Sequence, residues 1–182
     1  MEEYIGVKFS VKEGALKEGR VDDARVREIV HWARVLSGKG FTPGNAGNIS
    51  FRKGKGFVIT SSGSELSNLG EDDFVFVEGF KLGKFELEGA IGMKLPSSET
   101  PLHAAIYSVR ADVGAVVHCH AFPNGVVESE REFEYGGREQ ARAVSELLRE
   151  NDIAIVRGHG AFSVGNNVEE AAGRILQSIK GK

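Results

Sequence analysis

The chain has 182 residues, of which 41% are hydrophobic and 27% are charged, a composition that can bury one sizeable core. Lysine and arginine number 23 against 26 acidic residues, and this net charge of -3 argues against nucleic acid as a partner. We also expect no membrane partner, because no apolar stretch is long enough for a span and the N-terminus lacks the pattern of a secretory signal.

The first 20 residues are predicted to form a strand and a connector. Apolar and polar residues alternate over residues 4–11, which is typical of a half-buried strand, and residues 12–20 are polar. We treat 1–20 as this N-terminal strand and connector and 21–182 as a single globular domain. Cys119 is the one cysteine, so no internal disulfide forms and a cytoplasmic location is expected.

Helices and strands are interleaved along the rest of the chain. The apolar spacing predicts helices over 22–37, after residue 98, over 138–149 and over 168–179, and strands over 56–60, 73–78, 113–120 and 153–156. Asp22 and Asp23 are expected to cap the first helix, and Asn166 and Asn167 the last. This order predicts an α/β fold of the α+β-like kind, with one mixed sheet and helices packed on its faces.

Several common catalytic fingerprints are missing from the sequence. It contains no Gly-x-x-x-x-Gly-Lys-Ser/Thr loop, no Gly-x-Gly-x-x-Gly after a strand and no Gly-x-Ser-x-Gly elbow. NTP hydrolysis, dinucleotide-dependent redox chemistry and serine esterase chemistry are therefore disfavoured.

Three of the five histidines are candidates for a metal site. His118 and His120 lie two residues apart in a strand, so both side chains point to the same face, while Cys119 points away. His159 follows the strand 153–156 between two glycines that allow a close backbone approach. If the two strands are neighbours, three imidazoles converge and leave a coordination position open, as in catalytic zinc sites. The alternative is that these are hydrogen-bonded core histidines. His103 lies four residues after Glu99 on a predicted helix, so the two share a face, and we interpret His103 as a partner or packing residue. His31, beside Trp32, is interpreted as structural.

Glu99 and three small-polar loops form a second candidate group. Glu99 begins a helix directly after the first loop, which holds Ser97 and Ser98. The other two loops, 44–48 and 61–64, are rich in Gly, Ser and Asn. Successive N–H groups in such loops can bind an anion such as phosphate. The alternatives are ordinary turns for the loops and a helix-dipole role for Glu99.

Taken together, these segments resemble the class II aldolase/adducin family, and in particular its fuculose-phosphate aldolase branch. The matching runs are Gly44-Asn45-Ala46-Gly47-Asn48-Ile49-Ser50, Ile59-Thr60-Ser61-Ser62-Gly63, Leu95-Pro96-Ser97-Ser98-Glu99, Leu102-His103-Ala104-Ala105-Ile106-Tyr107, Arg110-Ala111-Asp112-Val113, Ala115-Val116-Val117-His118-Cys119-His120 and His159-Gly160. The order and spacing agree over residues 22–120 and 138–175.

The resemblance implies a fold, a metal and a reaction. The fold is a largely antiparallel central sheet with helices on both faces. The metal is a zinc ion on His118, His120 and His159, with Glu99 as the acid/base. The implied substrate is a sugar phosphate, a ketose 1-phosphate that is cleaved to dihydroxyacetone phosphate and an aldehyde through a metal-stabilised enediolate. The implied assembly is a homotetramer. The family's phosphate pocket carries over to five residues: Asn48, Ser62, Gly63, Ser97 and Ser98.

The chain also departs from the family pattern. His118 and His159 are only 41 positions apart, and the tyrosine that the family carries in a longer segment has no evident match. The family's C-terminal tail is also expected to be absent. We therefore expect a slower or differently specific lyase. The alternatives are a sugar-phosphate dehydratase, a 4-epimerase, which usually carries Asp where Glu99 stands, or a non-catalytic adducin-like module. Iron, cobalt or manganese could replace zinc.

Overall fold

A computed structural model describes residues 6–180 of the chain, which form ten strands and four helices. The strands are β1 Ser10–Val11, β2 Leu16–Lys17, β3 Asn48–Lys53, β4 Gly56–Thr60, β5 Phe74–Lys81, β6 Glu86–Gly92, β7 Ala115–Cys119, β8 Val127–Glu128, β9 Ile153–Val156 and β10 Gly160–Gly165. The helices are α1 Val26–Gly38, α2 Thr100–Val109, α3 Arg138–Leu147 and α4 Val168–Lys180. Within this part of the chain, no helix has both the length and the apolar character needed to cross a membrane.

All ten strands belong to one sheet in the order β1-β6-β5-β4-β3-β7-β10-β9-β8, with β2 also paired to β6. The pairs β1–β6, β2–β6 and β8–β9 are parallel and the others are antiparallel. The predicted α/β fold, with a largely antiparallel central sheet, is confirmed.

Two hydrophobic cores lie on opposite faces of this sheet. Helices α2 and α3 cover one face, where Ile106 and Val144 pack with Val116 of β7. Helices α1 and α4 cover the other face, where Leu36 packs with Val117 of β7. Because side chains alternate along β7, the even-numbered positions of this strand face α2 and α3.

The N-terminal segment differs from its prediction. Of the strand predicted over 4–11, only Ser10–Val11 forms, and residues 4 and 5 lie outside the described residues. Gly6 has a φ of 81°, a backbone conformation that a strand does not accommodate. Phe9 is nevertheless buried and packs edge-on against Phe80, so the segment joins the core of the sheet.

Other predicted boundaries shift, and several strands were not predicted. Helix α1 starts at Val26 and not at residue 22, and the prediction that Asp22 and Asp23 cap it is wrong: no side chain caps this helix, and Asp23 accepts from the N–H of Arg25 in the turn before it. Asn167 does cap α4, since its Oδ1 accepts from the N–H of Glu170 at 2.8 Å. Strands β3, β6 and β10 and the two-residue strands β2 and β8 were not predicted.

Candidate active site

Strands β7 and β10 bring the three candidate histidines together. His118 lies on β7, His120 follows this strand directly, and His159 lies in the turn that leads into β10. The sequence left open whether β7 and the strand over 153–156 are neighbours, and in the fold β10 lies between the two. Gly160 makes this arrangement possible, because a Cβ there would overlap the carbonyl oxygen of Cys119.

The geometry of the three imidazoles fits a metal ion. One ligand nitrogen from each of His118, His120 and His159 lies within 4.8 Å of the other two. His118 Nδ1 donates to the carbonyl oxygen of Ala161 at 2.9 Å, and burial lowers the pKa of His118 well below its ordinary value. The neutral ring therefore presents the lone pair of Nε2 to the cluster, and this buried atom has no hydrogen-bond partner. A divalent cation would satisfy it.

The other side chains singled out beside this cluster lie elsewhere. Cys119 is fully buried in the core beneath α1 and α4, so the prediction that it points away is confirmed. Burial raises the pKa of its thiol to about 12. His31 lies exposed on α1, edge-on to Trp32.

The carboxylate of Glu99 lies against the histidine cluster at the start of α2. Its Oε1 is 2.8 Å from His159 Nε2, and its Oε2 is 3.2 Å from His118 Nε2. Asn48 Nδ2 donates to Oε2 at 2.6 Å. Burial alone would raise the pKa of Glu99, but the contact with His159 and the hydrogen bond from the Asn48 amide lower it. Glu99 is therefore a carboxylate, the form that accepts a proton.

Asn48 joins Glu99 to His103. Asn48 stands directly opposite His118 in the β3–β7 pairing, on the face covered by α2. Its Oδ1 lies 2.6 Å from His103 Nε2, and His103 Nδ1 lies 2.7 Å from Ser50 Oγ. The prediction that His103 is a partner residue on the same helix face as Glu99 is thus consistent with the contacts, with Asn48 as the bridge.

The two serine-containing loops meet beside Glu99. Ser61 and Pro96 form an isolated β-bridge, and the N–H of Ser62 donates to the Leu95 carbonyl at 2.9 Å. Ser97 and Ser98 are buried. The loop at Ser62 and Gly63 is more open, and Gly63 adopts a φ of 75°. Four of the five predicted phosphate-binding residues therefore occupy two adjoining loops next to the carboxylate.

Tyr135 lies in the same region, although no sequence pattern assigned it there. Its hydroxyl is 2.7 Å from Ser98 Oγ, and its ring centroid is 5.3 Å from that of His159. The turn that follows is held by Gln140, whose Oε1 accepts from the N–H of Gly136 at 2.7 Å. The Gly136-Gly137 pair is a turn signal that could have placed a return of the chain at this point.

A comparison with known families decides the relationship. The family described as "Class II Aldolase and Adducin N-terminal domain" matches residues 27–131 and 122–178, which together cover most of the chain. The chain belongs to the class II aldolase and adducin family. All the side chains that make up the site of this family member, from Asn48 to His159, lie within the matched residues.

Curated relatives of this class II aldolase family member carry out more than one reaction. It is 40% identical over 93 residues to a 5-methylthioribulose-1-phosphate/5-deoxyribulose-1-phosphate aldolase of Rhodospirillum rubrum, covering 51% of this chain and 39% of the relative. It is 42% identical over 95 residues to the L-fuculose phosphate aldolase of Escherichia coli, covering 52% and 41%. It is 35% identical over 96 residues to a methylthioribulose-1-phosphate dehydratase of Azotobacter vinelandii, covering 52% and 44%. The matched stretch thus spans less than half of each of these relatives.

A solved structure extends the similarity to nearly the whole chain. The L-fuculose-1-phosphate aldolase of Thermus thermophilus superposes with a TM-score of 0.66 at 26% identity, covering 86% of this chain and 91% of that protein. The two proteins therefore share their fold over most of both chains.

Proposed function

We propose that this chain is a metal-dependent aldehyde-lyase that cleaves a ketose 1-phosphate to dihydroxyacetone phosphate and an aldehyde. The observation that carries this proposal is the contact of the Glu99 carboxylate with two imidazoles of a three-histidine cluster. His118, His120 and His159 would hold the metal. A divalent cation bound there supplies positive charge where negative charge develops on the substrate oxygens during carbon–carbon cleavage.

Glu99 is assigned the proton transfer at carbon. When the bond between C3 and C4 of the sugar breaks, the Glu99 carboxylate takes up the proton of the C4 hydroxyl and the electron pair remains on the three-carbon fragment. Glu99, now protonated, delivers this proton to C3, which becomes the hydroxymethyl carbon of dihydroxyacetone phosphate. In the reverse direction the carboxylate removes this proton. Its contacts with Asn48 and His159 support this assignment because they fix both oxygens.

The phosphate is assigned to Asn48, Ser62, Gly63, Ser97 and Ser98. The adjoining loops at Ser62 and Ser97 support this assignment, because they lie beside Glu99 and offer hydroxyl and backbone donors. A phosphate held there is remote from the bond that breaks, so its binding energy orients the substrate. Tyr135, hydrogen-bonded to Ser98, would then border the substrate.

The test combines a substrate screen with the Glu99→Gln variant. We expect wild-type protein to release dihydroxyacetone phosphate, detected by coupled reduction to glycerol phosphate, from at least one 5-deoxypentulose or 6-deoxyhexulose 1-phosphate. Glu99→Gln should keep its metal but lose about 10²- to 10⁴-fold in kcat, the usual contribution of a general acid or base. Glu146→Gln, at an exposed carboxylate paired with Arg142, is the matched control and should leave kcat unchanged. Full activity of Glu99→Gln would refute the assigned role.

A sugar-phosphate dehydratase is the second candidate, and the relative from Azotobacter vinelandii favours it. The same screen separates the possibilities by product. A dehydratase yields a single product that has lost water and no three-carbon fragment, and a 4-epimerase yields an isomer of the substrate. A non-catalytic, adducin-like module would show neither turnover nor bound metal.

Zinc as the resident metal, a homotetrameric assembly and a cytoplasmic location belong to the same proposal. Three imidazoles are a donor set that zinc favours. Elemental analysis of protein purified without a histidine tag should give about one zinc per chain, lost in His159→Ala. Light scattering should give the mass of four chains of 19.7 kDa each. Another metal in stoichiometric amount, or a monomer at assay concentration, would correct these points individually.

A further inference from the structure

A continuous chain of buried hydrogen bonds leads from the proposed base into the interior. Glu99 Oε2 accepts from Asn48 Nδ2 at 2.6 Å, and Asn48 Oδ1 lies 2.6 Å from His103 Nε2. His103 Nδ1 lies 2.7 Å from Ser50 Oγ, which lies 2.8 Å from the Tyr107 hydroxyl. None of these five side chains is more than 7% exposed. Solvent therefore cannot replace a missing partner along the chain.

The chemistry of the five groups allows one direction only. A carboxylate accepts hydrogen bonds, so the Asn48 nitrogen faces Glu99 and its oxygen faces His103. His103 must then carry its proton on Nε2 and accept at Nδ1. Ser50 therefore donates to His103, and Tyr107 donates to Ser50. Burial lowers the pKa of His103 to about 4, which keeps the ring neutral and limits it to one N–H.

The tautomer of His103 thus selects the orientation of the Asn48 amide. With the proton on Nδ1, His103 Nε2 would be an acceptor, and the Asn48 nitrogen would turn toward it. The Asn48 oxygen would then face Glu99 Oε2, leaving two buried acceptors in contact and the carboxylate without its donor. The other carboxylate oxygen, Oε1, contacts His159, so the Asn48 donor is what fixes the second oxygen and with it the plane of the carboxylate.

We infer that His103 is a positioning residue for the reaction: by donating from Nε2 to Asn48, it holds the amide in the orientation that aims the Glu99 carboxylate. Its effect on catalysis rests on the proposed function, in which Glu99 transfers the proton. Its effect on the Asn48 amide does not. With His103 included, the site extends along α2 by one helical turn beyond Glu99.

Two substitutions of similar size separate positioning from packing. In His103→Gln, the amide nitrogen can reach the position of imidazole Nε2 and keep the donor to Asn48. In His103→Asn, the shorter amide reaches only the position of Nδ1, so it keeps the contact with Ser50 and loses the donor. We expect His103→Asn to lower kcat about 10- to 100-fold, as loss of a partner behind a catalytic group usually does, with KM and metal content unchanged. We expect kcat of His103→Gln within about threefold of wild type.

Tyr107→Phe is the matched control, because it removes a buried hydroxyl at the far end of the chain and leaves the Asn48–Glu99 contact intact. It should lower stability by about 1 kcal/mol without lowering kcat. Equal kcat losses in His103→Gln and His103→Asn would indicate packing and overturn the inference. A rise in KM of His103→Asn at constant kcat would also overturn it, because Asn48 would then act on phosphate binding and not on Glu99.

NMR measures the orientation of the Asn48 amide directly and does not depend on turnover. Heteronuclear NMR of the metal-loaded wild-type protein should show His103 as the neutral Nε2–H tautomer. It should also show a strongly downfield side-chain N–H of Asn48, which persists in His103→Gln and shifts upfield in His103→Asn. An Nδ1–H tautomer, or an Asn48 signal that is the same in both variants, would refute the positioning role. If the protein cleaves no ketose phosphate but these signals behave as expected, the proposed function is wrong and His103 still orients Asn48.

Discussion

Replacing Gly160 by alanine should damage the fold and the proposed metal site together. Gly160 begins β10, and a Cβ built there would lie 3.0 Å from the Cα of His120 and closer still to the carbonyl oxygen of Cys119. Both neighbours are backbone atoms that cannot rotate away. Ordinary contact begins near 3.4 Å, so β10 must move from β7 by at least 0.4 Å at this point, the difference between the two distances. Overpacking of this kind costs about 1–3 kcal/mol.

The same shift displaces His159, the residue before Gly160, from the other two histidines. We expect Gly160→Ala to bind zinc about 10- to 100-fold more weakly, the usual penalty when the support of a ligand is lost. In thermal unfolding followed by circular dichroism, 1 kcal/mol corresponds to about 2–4 °C for a domain of this size, so the Tm should fall by about 2–12 °C.

Gly173→Ala is the matched control for this substitution. Gly173 lies inside α4, and a Cβ there would meet nothing within 4 Å. Alanine in a helix interior stabilises by about 0.5–1 kcal/mol relative to glycine, so the Tm should rise by about 1–4 °C with unchanged zinc affinity. If Gly160→Ala matches wild type in both Tm and zinc titration, the argument from the close approach of β7 and β10 is wrong.

Two further predictions concern stability. The pKa of His103 is lowered to about 4 by burial against an ordinary value of 6.5, so the unfolded chain takes up the proton first and stability falls as the pH drops through this window. This difference corresponds to a few kcal/mol, on the order of 3. Urea unfolding of metal-loaded protein at several pH values should therefore show a shallower decline in His103→Gln. Equal slopes would contradict the neutral buried histidine. Asn167→Ala removes the side-chain acceptor for the Glu170 N–H at the start of α4. In the same assay it should lower the free energy of unfolding by about 1 kcal/mol. Asn45→Ala, in the loop before β3, is the control, because it leaves α4 unchanged.

The sequence predicted several elements with clear apolar periodicity, and two of the strands it missed contain glycines. Strands β4 and β9 were predicted with their observed bounds. Strands β6 and β10 carry glycine, a residue type common in turns, but in the fold these glycines allow close packing. A Cβ at Gly92 would lie 2.8 Å from Val75, and one at Gly165 would lie 2.8 Å from the N–H of Ala171. Single-sequence patterns do not separate the two uses of glycine.

The sequence predicted those parts of the candidate site in which a single strand or helix determines where the side chains point. Strand alternation placed His118 and His120 on one face, and helical spacing placed Glu99 and His103 on another common face. The contacts of Asn48 with Glu99 and His103 depend on the β3–β7 register, and the contact of Tyr135 with Ser98 depends on the path of an irregular segment. Neither can be calculated from spacing along the chain. The chemical roles of these residues stay predictions until the variants are measured.

The β3–β7–β10 register would also make the proposed metal site a reporter of folding. Asn48, His118 and Phe162 stand side by side across the three strands, although 70 and 44 positions of chain separate them. Slipping any one strand by a single residue would turn its member of this row to the opposite face of the sheet. High zinc affinity at the proposed site therefore requires the β7–β10 pairing, which brings His159 to His118 and His120. Pairings between residues so far apart in the chain form slowly. The appearance of zinc binding during refolding should coincide with native sheet formation and lag behind the helical signal.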